Sequence, residues 1–144
     1  MFGNDRGQIR RCFHDVWRRH NAGQALEPLE QLIAAVIGQH PQYHPLLADL
    51  ETALARDYPV EAGETNPFLH MGMHIAVQEQ LGADRPPGIQ AIYRRLCQRC
   101  PDRHAAEHRM MDCLGEILWE AQRNGTAPDE TAYLQRLRQL LRGG

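Results

Sequence analysis

Six of the eight histidines in this chain fall into pairs four residues apart: His40/His44, His70/His74 and His104/His108. Residues four apart on a helix share one face, one turn above the other. Two imidazoles so placed can bind one metal ion when a third or fourth ligand arrives from elsewhere. The three pairs are not equal. His40 and His44 each precede a proline, which biases a residue away from helical dihedrals. That pair is expected at a bend, where it caps a helix or supplements a site from a loop. His70 and His74 share a face with Val77 and Leu81 in a segment that is apolar nearly all round. Such a helix is usually central, so both imidazoles are expected to point inward.

The third pair lies beside an apolar stripe of Ala106, Met110, Cys113, Leu114, Ile117, Leu118 and Ala121. Glu107 falls at the edge of that stripe, His104 at its boundary, and His108 on the opposite, wet side. A carboxylate at a core edge is costly unless paired, with a metal or with one of the chain's arginines. His70, His74 and Glu107 together give two imidazoles and one carboxylate. That set suits Fe(II), Mn(II) or Zn(II), with open positions for water or substrate. His40, His44 or His104 could complete it or build a second site. Neither HEXXH nor the paired Glu-x-x-His motif of ferritin-like carboxylate proteins is present. The opposing reading is a non-catalytic interaction or scaffold protein, acting with a protein partner or as a homo-oligomer. Its histidines would then be structural polar groups of the core.

Cys97-Gln98-Arg99-Cys100 is a CxxC that could join His104 and His108 in a local zinc set. Pro101-Asp102 breaks the helix between the two halves, and no second CxxC follows. A redox pair would want the N-terminus of a helix, whereas this one sits at a C-terminus. The motif therefore reads as incidental, with local zinc as its rival. Met71, Met73, Met110 and Met111 could add thioethers for copper, but flexible core filling accounts for them better. The chain has no serine and no lysine. Serine nucleophiles, Schiff-base chemistry and a P-loop lysine are therefore excluded.

A formal net charge of -2 over 144 residues gives no electrostatic case for nucleic acid or an anionic membrane as partner. No apolar run approaches the roughly 18 residues of a membrane span. The polar start, Met1 to Arg6, carries no signal-peptide core, so a cytoplasmic location is the expectation. Four cysteines in such a chain are expected as thiols.

The elements that must position these residues are helices. Apolar residues recur at helical spacing, and no strand-like alternation is evident. Helices are expected over about 5–19, 27–38, 45–57, 67–81, 86–99 and 102–123, with a last one from Asp129. Asn66-Pro67 is a helix start, Asp84 a cap, Asn124-Gly125 a helix end, and 58–65 a loop. The expected architecture is an all-α, single-domain helical bundle over 1–144, of six to seven helices with short connections.

Three stretches carry a likeness to a known family. They are His40-Pro41-Gln42-Tyr43-His44, then Asn66 through His74, then Ala106 through Gln122. With Met1-Phe2-Gly3 and the Asp84-Arg85-Pro86 turn, they make the chain similar to the bacterial family of unknown function DUF1841 over about its whole length. The resemblance implies a small helical protein, cytoplasmic and of proteobacterial type, and brings no activity with it. The favoured histidines and Glu107 fall inside the shared motifs; the Cys97/Cys100 pair does not look like a family feature.

Overall fold

The computed structural model describes residues 6–55 and 66–142. They form eight α-helices and one 3-10 turn, with no strand among the described residues. The helices are α1 (Arg6–Asn21), α2 (Pro28–Gly38), α3 (His44–Ala48), α4 (Leu50–Ala55), α5 (Pro67–Ala83), α6 (Ile89–Arg99), α7 (Arg103–Asn124) and α8 (Glu130–Arg142); the 3-10 turn is Pro41–Tyr43. None is long and apolar enough to cross a membrane. The expectations for residues 1–5, for the loop at 58–65 and for a helix end at Asp57 lie outside the described residues.

The count exceeds the expected six to seven because the third helix divides. Asp49 is extended (φ -118, ψ 105). Its carboxylate accepts from the Glu51 N–H at 3.1 Å and the Thr52 hydroxyl at 2.8 Å. An aspartate that can cap a new first turn competes with continuing the old helix.

The chain divides into two compact units, Met1–Ile75 and Ala76–Gly144, and the division falls within α5. The first unit buries Phe13 and Val16 of α1, Ile33, Val36 and Ile37 of α2, Leu47, and Phe68, Met71 and Ile75 of α5 in one cluster. Asn66 starts α5 as the sequence implies, its side-chain oxygen accepting from the Phe68 N–H at 2.9 Å. The helix is not buried all round as a central helix would be, since Leu69 is 65% exposed.

Arg19 of α1 ties that helix to α2, holding Asp15 at 2.9 Å and also Glu30. Both carboxyls sit below their ordinary range, Asp15 chiefly through a hydrogen bond from Arg18 and Glu30 chiefly through one from Arg19. A carboxyl whose folded-state pKa is depressed adds stability above its unfolded value of about 4, and loses it as the pH falls through the folded value. The urea midpoint is therefore expected to drop below about pH 4, and to drop less in Arg19→Ala. Equal acid sensitivity in the two proteins would show that this network does not contribute.

In the second unit, Ile89, Ile92 and Leu96 of α6, Met110, Leu114 and Ile117 of α7, and Tyr133, Leu137 and Leu141 of α8 are buried. Asp84 caps the start of α6, accepting from the Gln90 N–H at 3.0 Å. Gly88 precedes that helix at φ 99, which is why it begins at Ile89 and not at Pro86. Asp102 caps α7, accepting from the Ala105 N–H at 2.8 Å. Asp102→Ala should cost about 1 kcal/mol in chemical denaturation, the usual size of a lost cap. Gly125 ends α7 at φ 65, with Thr126 N–H bonded to the Ala121 carbonyl at 3.0 Å and its own N–H to Gln122 at 3.3 Å. That double bond pattern is the Schellman stop the Asn124-Gly125 pair implies. Arg136 of α8 pairs with Glu116 at 3.3 Å and with Glu120, both on α7.

Candidate metal centre

In the first unit, three histidines gather where the 3-10 turn meets α5. The ring centroids of His40 and His74 are 4.8 Å apart, those of His40 and His70 5.2 Å, and those of His70 and His74 4.8 Å. His74 is fully buried and His40 nearly so, at 2% exposure. Tyr43 stacks on His40 at 5.6 Å.

Local chain geometry sets the two sides of this cluster. His70 and His74 are one turn apart on α5, and their Nε2 atoms lie 3.3 Å apart. Neighbouring nitrogens on a tetrahedral ion with bonds of about 2.0–2.1 Å are separated by about 3.3 Å. His40 is placed by the end of α2. Its Nδ1 lies 2.7 Å from the Val36 carbonyl. A carbonyl only accepts, so Nδ1 carries the proton, and in the neutral ring Nε2 carries the lone pair. A ligating histidine is commonly oriented in this way, by donating its second nitrogen to a backbone carbonyl.

His44 has a different task. Its Nε2 donates to the Ile37 carbonyl at 2.9 Å, and its ring lies 4.5 Å from that of Trp17. His40 and His44 thus each give a second hydrogen bond to a carbonyl at the end of α2 that also accepts a backbone N–H, from Gln39 at Val36 and from His40 at Ile37. The capping expected of this pair is what the structure shows. His14, which the sequence reading did not single out, does the same for the Leu47 carbonyl at 2.7 Å.

In the second unit, His104 and His108 lie one turn apart on α7, their rings tilted by 44° with centroids 4.4 Å apart. His108 is half-buried and does not lie on a fully wet face, as the helical wheel had suggested. Glu107 is buried, with 6% exposure. Its Oε1 accepts from the Gln78 side-chain amide of α5 at 3.1 Å. A glutamine partner for this carboxylate was not foreseen; the signal available was that Gln78 lies one turn beyond His74.

The cysteines are free thiols. Cys97 lies in the last turn of α6 and Cys100 caps its end, so the CxxC stands at a helix C-terminus as expected. Tyr93 hydrogen-bonds Cys97; burial first, and this contact second, push the phenol up to about 12. Burial likewise raises the Cys113 thiol, consistent with a small core side chain.

The model of DUF1841, a domain of unknown function, matches residues 5–139. The chain belongs to the DUF1841 family. That span contains all three histidine pairs and Glu107. No curated protein and no solved structure matches this DUF1841 chain.

Proposed function

We propose that this protein binds one divalent transition metal ion through His40, His70 and His74 of the first unit. The observation that carries the reading is that His40 and His74 can each offer one ring nitrogen within 4.8 Å of the other, and that the Nε2 atoms of His70 and His74 lie 3.3 Å apart. All three are among the ligands expected from the sequence. His70, 3.3 Å from His74 through Nε2, has the spacing of a neighbouring ligand on the same ion. His44 stands outside the set, held by the Ile37 carbonyl.

Imidazole donors suit zinc, copper, iron or nickel; manganese prefers oxygen donors. Among the metals expected from sequence, zinc and iron therefore fit this set better than manganese. Three imidazoles leave one position of a tetrahedral ion to water or another ligand, and no residue is assigned to react there. The reading is accordingly of a metal-binding protein and extends to no reaction. Metal content of protein purified without a histidine tag tests it, measured by mass spectrometry after reconstitution and desalting. About one ion per chain is expected. A content far below that would leave the alternative, histidines that serve as polar fasteners as His14 and His44 do.

A further inference from the structure

A second candidate site lies in the second unit, on a surface that has no part in the histidine cluster. Arg95 and Arg99, four apart on α6, and Arg138 and Arg142, four apart on α8, line one cavity of ≈ 420 Å³ with Leu141. Four of its five lining side chains are guanidinium groups, and none is a carboxylate. Among the described residues, none of the four arginines holds a carboxylate in an ion pair. Arg136, also on α8, does, with Glu116 and Glu120.

Like charges four apart on a helix repel, and here two such pairs face one cavity. Arginines in the last turn of a helix complement its dipole. That accounts for Arg99 and Arg142, but not for Arg95 and Arg138, which stand a full turn earlier. An anion in the cavity would offset the repulsion of all four. Guanidinium forks bind phosphate oxygens in a bidentate manner that ammonium groups cannot match. The volume is within the roughly 300–1,000 Å³ of small-molecule sites. The walls offer one aliphatic side chain, Leu141, and no aromatic platform for a base. We propose that this cavity binds a compact phosphate polyanion, of which inorganic diphosphate is the simplest case.

Calorimetric titration of the full chain with diphosphate tests this, with orthophosphate, sulfate and ADP as separate arms at matched ionic strength. Saturable one-to-one binding is expected, tighter for diphosphate than for orthophosphate or sulfate, with ADP no tighter than diphosphate. Each arginine lost should weaken it roughly 10-fold, as charge-assisted hydrogen bonds do. Arg99→Gln with Arg138→Gln should therefore weaken it about 100-fold. Arg109→Gln, an exposed change outside the cavity, should leave it unaltered. Circular dichroism of each variant should match the parent, since all three positions are exposed. Because diphosphate also ligates metals, the titration is repeated on His74→Ala, where binding should persist. The proposal is overturned if diphosphate does not saturate the parent protein. It is equally overturned if the double variant binds as well as the parent, if sulfate binds as tightly, or if binding disappears in His74→Ala.

Discussion

His74→Ala is expected to reduce metal affinity at least 100-fold and to remove the metal from purified protein. His74 is the most buried of the three proposed ligands, with no measurable exposure. It stands between His40 at 4.8 Å and His70 at 4.8 Å by ring centroid. Its loss takes one nitrogen from the set and the nearest neighbour from two others. Folding stability gives a second readout. A ligand that binds only the folded state adds about 4 kcal/mol when present at a thousand times its dissociation constant. A chelator should then lower the melting temperature of the parent protein by roughly 10 °C or more. In His74→Ala the chelator shift should vanish, even though the variant starts from a lower melting point because a buried side chain is gone. His44→Ala supplies the contrast. It removes the donor to the Ile37 carbonyl and the contact with Trp17, so it should cost about 1 kcal/mol or more in stability while keeping the metal. Stoichiometric metal in His74→Ala would sink the proposed ligand set. Loss of metal in His44→Ala, with the fold intact, would move the site toward the loop.

Arg10→Ala should destabilise the fold by about 3 kcal/mol, the largest stability effect we expect from a single polar residue. Arg10 lies within the first unit with 2% exposure. Its Nη1 donates to the Ala53 carbonyl at 2.8 Å, and its guanidinium lies over the Phe68 ring at 4.8 Å. It therefore joins α1, α4 and the first turn of α5, three segments distant in sequence. Truncation leaves a buried carbonyl without this donor, takes a cation from an aromatic face, and opens a cavity. Arg10→Met separates these terms, because it fills the volume without the charge. Replacing a buried ionic group by a well-packed apolar one can be neutral or even stabilising, so Met should recover a good part of the loss. Urea unfolding of the three proteins measures both effects. A cost under about 1 kcal/mol for Arg10→Ala would show that the side chain is a passenger in this core.

Much of the local structure was legible in the sequence because its signals are short-range. Asn66-Pro67, Asp84, Asp102 and Asn124-Gly125 act within a few residues of themselves, and the helix ends they imply stand within a few residues of the expected positions. Asp49 was missed although its effect is equally local, since an aspartate inside an apolar pattern reads as a solvated side chain until its carboxylate is seen capping Thr52. The prolines after His40 and His44 imply that neither stands in regular helix; that holds for His40 (φ -127, ψ 68), but His44 is helical (φ -60, ψ -42) and opens α3, because its own proline fits the first turn of that helix.

What the sequence could not decide was which groups from distant segments meet. Spacing placed His70 and His74 on one face of one helix, but the approach of His40 to them depends on how α2 and the 3-10 turn pack against α5. Glu107 was legible as a carboxylate at a core edge, while its partner Gln78, 29 residues away, was not. The four arginines of the α6–α8 cavity show the same limit. Each i,i+4 pair is visible in the sequence as an ordinary basic stripe, and only the packing of α6 and α8 sets the two stripes around one hollow. By itself, then, the sequence determined the helices, most of their ends, and which histidine pair lies on a buried face, because dihedral preference and periodicity are properties of neighbouring residues. The tertiary structure alone decided the composition of the clusters, because a cluster depends on distances between segments that no local preference encodes.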